Sequence, residues 1–359
     1  MKEIRRPTLI INEKTVRNNL ERLTHKFANK NISFRPHFKT HQSAQVANWY
    51  RDYGVSQICV SSVQMAQYFA ANGWNDITIA FPYNWLEAAE INDLASKIKL
   101  NLLIESAESL VHASTHIHHN AGYFVKCDVG THRTGLELHQ LDELALLSES
   151  PGEAFQFMGL LAHAGHTYGA RGKDEIVRTH QQSIKVLDTF RNSLNQKGIV
   201  SYGDTPSCSV ADNFEGVDEV RCGNFAYYDL MQEQIGSCSL QDIGVALACP
   251  VVANHPLRGE KIIYGGAVHF SKDFIFMDGK KIFGQVVEFT GTGWEIVEGV
   301  FLTGLSQEHG TISGPPEKID KFGLGSIVGI LPVHSCLAAD LMNGQQTLDG
   351  KKITKMTKI

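Results

Sequence analysis

The sequence predicts a (β/α)8 barrel followed by a smaller, mainly β domain. Through the first two thirds of the chain, eight β-rich runs alternate with helical patterns. After about residue 240 the helical patterns fade, and short strands with Gly turns take over. The length of 359 residues exceeds one small core and suits a large barrel plus a second domain.

The N-terminal run "RRPTLIIN" (Arg5–Asn12) is a short strand ahead of the first barrel helix, free to pair into the second domain. The first barrel strand is read at Ile32–Phe38. The next three are Gln57–Ser62, Asp76–Phe81 and Lys99–Glu105, and the last four Tyr123–Val129, Phe157–His163, Ile199–Asp204 and Asp218–Gly223. Helical patterns lie between them at Gln64–Asn72, Trp85–Ser96, Leu136–Ser148 and Asp174–Gln196. "IGVALACPVVA", "EKIIYGGAVHF", "KIFGQVVEF" and "GWEIVEGVFL" are the strands of the second domain. The boundaries follow: residues 12–238 for the barrel, and 1–11 plus 239–359 for the β-domain. A doubly wound open sheet is the alternative, but its Gly-rich first βα turn is missing.

A net charge of −5 without any Lys/Arg run gives no reason to expect nucleic acid. No apolar stretch approaches the roughly 20 residues of a membrane span, and the N-terminus lacks the apolar core of a signal peptide. Seven cysteines, an odd number at scattered spacings, point to reduced thiols in the cytoplasm.

Barrel enzymes carry their chemistry at the C-terminal ends of the strands. Strand 1 ends in His37-Phe38-Lys39. A lysine there is expected to be partly desolvated, which frees its amine to condense with an aldehyde. Strand 5 ends in "KCDVGTHRTGL", where Arg133 offers planar donors to a carboxylate, phosphate or phenolate. Strand 6 ends in "LLAHAGHTYGA", which brings His163 and Tyr168 among small residues that admit a flat ring. Strands 7 and 8 end with Gly203 and Thr205, and with Gly223 and Asn224, where barrels often hold phosphate. Each feature alone is ordinary. Together an aldehyde acceptor, a phenolate partner, ring contacts and a phosphate cradle suit pyridoxal phosphate. Near the C-terminus, "LPVHSCLAADL" sets His334 and Cys336 two apart, so an extended segment would turn two zinc ligands to one side. The histidine-rich "HASTHIHHN" (His112–Asn120) reads as a solvated surface away from the mouth.

These motifs resemble the D-serine dehydratase and D-threonine aldolase family of fold-type III pyridoxal phosphate enzymes, which are alanine racemase-like in architecture. The resemblance runs from "RPTLIIN" to "VHSCLAADL", and "RPHFKTH" is its most specific segment. It implies that Lys39 is the Schiff-base lysine, that Arg133 meets the phenolic oxygen, and that His163 and Tyr168 lie against the ring. It also implies zinc, or another divalent metal, on His334 and Cys336. The match is looser elsewhere. Asp204 stands in the phosphate loop where the family has Gly, Cys222 where proline is common, and "SSVQMAQ" offers Met65 and Gln67 where the family has glutamates. The His-x-Cys ending tilts the expected reaction towards dehydration of a D-3-hydroxy amino acid to a 2-oxo acid and ammonia. Lys39 would be the base at Cα, and the metal would assist the leaving hydroxide. The rivals are retro-aldol cleavage to glycine and an aldehyde, an amino-acid racemase, and a non-catalytic cofactor-binding protein. Fold relatives imply a homodimer.

Overall fold

The computed structural model describes residues 4–277 and 279–357. The chain forms two compact units, one of Glu21–Gly223 with the tail from Met356, the other of the residues up to Leu20 with Asn224–Lys355. The division thus cuts through the first helix, α1 (Glu13–Ala28), and falls after Gly223, whereas the sequence placed it at 11/12 and 238/239. Side-chain and backbone bonds explain the shift. Asn19 Nδ2 donates to the carbonyls of Ala226 and Asp242, Gly244 N–H donates to Tyr227, and Met231 N–H to Val333. These bonds tie the start of α1 and the segment after Gly223 into the β unit.

Strand β1 (Thr8–Ile11) belongs to the β unit. The barrel unit holds β2 (Ser33–Phe34), β3 (Ile58–Val60), β4 (Asp76–Pro82) and β5 (Lys99–Ile104), then β6 (Ala121–Cys127), β7 (Phe155–Ala162), β8 (Ile199–Tyr202) and β9 (Glu219–Val220). All eight are parallel, in the order β2-β9-β8-β7-β6-β5-β4-β3. The ring closes through the residues just past β2. Their ladder to β9 continues as Arg35 and His37 donate to Val220 and Cys222. On the other side His37 bridges Cys59, with Cys59 N–H donating to Pro36 and Phe38 N–H to Cys59. Proline has no N–H to give, so its carbonyl and its neighbours carry this closure. At the base of the ring, buried Arg35 joins three strands through Glu219 (2.7 Å) and Asp76 (2.5 Å).

Strand-to-helix turns are set by short polar caps. Ser43, Ser62 and Ser106 each accept the N–H three residues on, at the starts of α2 (Ala44–Arg51), α3 (Val63–Ala71) and, after α4 (Ala88–Ala95), α5 (Ala107–His116). α6 (Leu141–Leu147) and α7 (Lys173–Asn192) complete the outer layer. The predicted Trp85–Ser96 helix is split, because Asn84 caps a separate 3-10 turn at Trp85–Glu87 ahead of α4. The last barrel helix is short: α8 (Thr205–Val210), capped by Asp204.

In the β unit, α9 (Leu230–Gln234) precedes β10 (Val245–His255) and β11 (Glu260–Tyr264). After α10 (Ala267–Phe270) comes a hairpin of β12 (Ile275–Met277) and β13 (Lys280–Ile282). There follow β14 (Gly284–Phe289), β15 (Trp294–Leu305), β16 (His309–Ser313), α11 (Pro316–Ile319), β17 (Ile327–Pro332), α12 (Ser335–Leu341), β18 (Gln345–Thr347) and β19 (Lys352–Ile353). Because β11 pairs with both β16 and β10, strands β10, β11, β16, β15, β14 and β17 close into a small antiparallel barrel. β1 pairs antiparallel with β10 and parallel with β18, as the N-terminal strand reading anticipated. No helix among the described residues is long and apolar enough to cross a membrane.

Candidate active site

The predicted catalytic lysine lies in the turn that follows β2. Lys39 is exposed, not partly desolvated as expected, and its ammonium makes no hydrogen bond or ion pair among the described residues. The two histidines that frame it hold backbone. His37 Nδ1 accepts the N–H of Lys39 at 3.3 Å, and His41 Nδ1 accepts the N–H of Ser43 at 3.1 Å. Each acceptor role fixes the neutral tautomer with its proton on Nε2. Burial, aided by the Lys39 and Arg221 charges, holds His37 well below the ordinary imidazole pKa. Burial pushes His41 down to about 3, among Phe38, Tyr50 and Phe69. The turn is completed by Gln42, at φ 50°, whose amide donates to the Lys39 carbonyl.

The loops after β6 and β7 are built as one piece. Asp128, at the end of β6, accepts the N–H groups of Gly130, Thr131 and His132 at 2.8, 2.9 and 3.1 Å. Burial would raise its pKa, but these amides outweigh burial and hold it below the ordinary carboxylate value. Thr131 Oγ1 donates to the His163 carbonyl and accepts from Gly165 N–H, locking the two loops together. Arg133 projects from this loop, exposed and with no hydrogen bond or ion pair among the described residues. The His163 ring donates from Nδ1 to the Gly203 carbonyl at 2.7 Å, a geometry that requires the proton on Nδ1. Burial outweighs that bond, and with Lys39, Lys126 and Arg133 nearby it lowers the His163 pKa to about 3. Tyr168 lies half-buried in the 3-10 turn Gly165–Gly169 that follows.

The predicted phosphate loops follow β8 and β9. Thr205 is 1% exposed and its hydroxyl has no partner among the described residues. A buried hydroxyl without a partner costs about 1–3 kcal/mol, so a ligand acceptor fits there. A methyl at Gly203 would come within 2.8 Å of Arg221 N, and one at Gly223 within 2.7 Å of the His37 carbonyl, so both positions demand glycine by close packing. Asp204, which departs from the family pattern, turns into the wall: its Oδ1 accepts from Ser207 N–H (2.7 Å) and Thr167 Oγ1 (2.9 Å). Burial raises its pKa to about 6, and the repulsion expected for a phosphate dianion is lessened chiefly because the carboxylate is directed into the wall. A wholly buried lysine and arginine escaped the sequence reading. Lys126, the last residue but one of β6, donates to the Cys127 carbonyl, and burial together with Arg221 lowers its pKa to about 8. Arg221 donates to Ser201 Oγ and to the Ala162 carbonyl. A lysine inside the apolar run "YFVKCDV" was the available signal for Lys126. The end of the barrel bearing Lys39, Arg133, Lys126 and Arg221 thus gathers four basic side chains, with the carboxylates Asp128 and Glu105 among them and neutral His37 and His163 between. These features fit a phosphorylated pyridine aldehyde: an available amine, a planar cation for a phenolate, a fixed imidazole and a buried hydroxyl donor.

The predicted metal pair belongs to the β unit, and its local structure differs from the expected extended segment. His334 caps α12, and Cys336 lies in the first turn of that helix. His334 Nδ1 meets Asp273 Oδ2 at 2.8 Å, which leaves Nε2 for a ligand role. Burial disfavours the charged ring, but Cys336, Asp229 and Asp273 outweigh it and raise the His334 pKa to about 9. Asn224 Nδ2 donates to Asp229 (2.7 Å), Ser335 Oγ (3.1 Å) and Cys336 Sγ (3.4 Å). The Asn224 side chain therefore serves the thiol, not a phosphate, and only its backbone remains for the role the sequence assigned. Asn224 Oδ1 and Tyr227 Oη are buried without partners among the described residues. Imidazole, thiol and neighbouring unsatisfied oxygens fit a zinc ion with two protein ligands and the remaining positions open. Asp273 and Asp229 were not visible from sequence, being distant from the pair along the chain.

Comparison with known proteins identifies the family and the fold. Residues 11–230 match the alanine racemase N-terminal domain model, and residues 244–346 match a putative serine dehydratase domain. A D-serine dehydratase of Dictyostelium discoideum is 27% identical over 96% of this chain and 93% of its own. A D-threo-3-hydroxyaspartate dehydratase of Delftia sp. (strain HT23) is 26% identical over 95% and 93%. Its solved structure superposes with a TM-score of 0.92, covering 100% of this chain and 99% of the other at 23% identity. A D-threonine aldolase structure from Filomicrobium marinum gives a TM-score of 0.84, covering 99% and 95% at 18% identity.

Proposed function

The chain belongs to the alanine racemase N-terminal domain family, and from that premise we propose that it is a pyridoxal phosphate- and zinc-dependent lyase of D-3-hydroxy amino acids. The reaction we favour is dehydration to a 2-oxo acid and ammonia. The observation that carries this reading is the uncommitted Lys39 at the end of the first barrel strand, with Arg133, His163 and Thr205 on the ends of three other strands.

Lys39 Nζ would hold the cofactor aldehyde and, once displaced by the substrate amine, take the proton from Cα. Its exposed position leaves Nζ free to exchange partners. Arg133 would meet the phenolic oxygen, and the Asp128 and Thr131 bonds keep its loop in place. The His163 ring, pinned to the Gly203 carbonyl, would fix the ring plane, with Tyr168 nearby in sequence. The Thr205 hydroxyl, with its own backbone N–H, would hold the phosphate, since Pro206 has no N–H and the Ser207 N–H is taken by Asp204. Bound pyridoxal phosphate supplies an electron sink for the charge left at Cα. A zinc ion on His334 and Cys336 would supply Lewis acidity for a departing hydroxide. The His-x-Cys pair favours dehydration over retro-aldol cleavage, on the family pattern.

We further place the protein in the cytoplasm as a homodimer acting on a free amino acid. All seven cysteines are free of disulfides, which supports a reducing compartment. Borohydride reduction of the holoenzyme followed by peptide mapping tests the cofactor assignment: a pyridoxyl adduct is expected on Lys39, and its absence there overturns the reading. Sedimentation of the holoenzyme checks the dimer.

A further inference from the structure

The histidine-rich stretch read from sequence as a solvated surface contains an ordered ring stack. His112 and His116 lie one turn apart on α5, with ring centroids 4.0 Å apart and planes 9° from parallel. Trp85 stacks against His112, at 4.3 Å and 15°. Both imidazoles have their Nδ1 engaged. His112 Nδ1 meets the Tyr83 hydroxyl at 3.1 Å, and His116 Nδ1 meets the His112 carbonyl at 2.8 Å. A carbonyl accepts only, so His116 Nδ1 carries the proton and its Nε2 presents a lone pair. His116 thus has the arrangement of metal-ligating histidines, which commonly give their second ring N–H to a carbonyl or another oxygen, and the Tyr83 hydroxyl can accept the same bond from His112. No carboxylate pairs with either ring among the described residues. Burial and the neighbouring His116 lower the His112 pKa, which favours the neutral ligand form.

We propose that His112 and His116 form a second metal site, for a borderline divalent transition ion such as Cu2+, Ni2+ or Zn2+. Residues at i and i+4 share one helix face, so their two Nε2 atoms reach a single ion once the ring stack opens and each ring turns towards it. No third His, Cys, Asp or Glu completes the set among the described residues, so the remaining positions belong to water or to an added ligand. Copper is expected to bind tightest of the three. Trp85, in contact with His112, makes the site self-reporting, because Cu2+ quenches a neighbouring indole.

The test is a fluorescence titration of zinc-loaded holoenzyme with Cu2+ alone, reading the component lost in Trp85→Phe. A saturable quench by one ion is expected, with its midpoint raised roughly a hundredfold in His112→Ala and in His116→Ala, since each removes one arm of the chelate. The midpoint should be unchanged in His334→Ala, which separates this site from the proposed catalytic metal. His116 is exposed and His112 half-buried, and the folding of both α5 variants is checked by circular dichroism. His116→Gln provides a second, milder variant. An unsaturable quench, or the same midpoint in both His116 variants as in wild type, overturns the proposal.

Discussion

His37 Nδ1 accepts the backbone N–H of Lys39 at 3.3 Å, so the residue two before the candidate catalytic lysine holds its turn through the main chain. His41 repeats the device on Ser43. The paired histidines around Lys39 are thus turn-builders, kept neutral by burial and available as acceptors across the physiological pH range.

His37→Ala removes that acceptor and opens a small void beside Gly223. We expect a loss of about 1–3 kcal/mol in unfolding free energy and faster loss of cofactor on gel filtration. His37→Asn, whose amide oxygen can accept an N–H two residues on, should recover part of both. Denaturant unfolding and the absorbance of retained cofactor measure the two effects.

Asp204 has a folded-state pKa raised to about 6 by burial, against an ordinary 3.8. Between these values the folded state holds the proton more tightly, so Asp204 contributes stability at low pH that is lost as pH rises from about 4 to 6. Asp204→Asn keeps the cap to Ser207 without the charge. The variant should be the more stable by about 1–3 kcal/mol at pH 8, and should lose this advantage near pH 4. Thermal melts of cofactor-free protein across that range check the sign.

Thr205→Val exchanges a buried hydroxyl without a partner for a methyl. Cofactor-free protein should keep or gain thermal stability, while pyridoxal phosphate should bind about tenfold more weakly. Equilibrium dialysis, run beside melting curves, reads the opposed effects. Equal cofactor affinity would remove Thr205 from the phosphate cradle.

Asp273→Asn weakens the bond that orients His334. Zinc affinity should fall about 10- to 100-fold, measured by competition with a chromogenic chelator. His334→Ala and Cys336→Ala set the floor for that measurement.

Much of the barrel was readable because eight apolar runs and their intervening helical patterns follow local rules, and Lys39, Arg133 and His163 sit where those runs end. What escaped were relations across the chain. His334 finds Asp273 at a separation of 61 residues, and Asn224 finds Cys336 at 112, with no local pattern to announce either. The direction of Asp204 had a local clue: an Asp before Thr-Pro is a helix-start signature, and its carboxylate does cap α8. The exposure of Lys39 was misread, because a strand end fixes where a lysine begins but not how deep its ammonium lies.

The most direct measurement is product identification from zinc-supplemented holoenzyme given D-serine, D-threonine and D-threo-3-hydroxyaspartate separately. At least one should yield 2-oxo acid and ammonia in equal amounts, with the activity abolished in Lys39→Ala. Glycine with an aldehyde, racemised substrate, or no turnover of any of the three would contradict the dehydratase assignment.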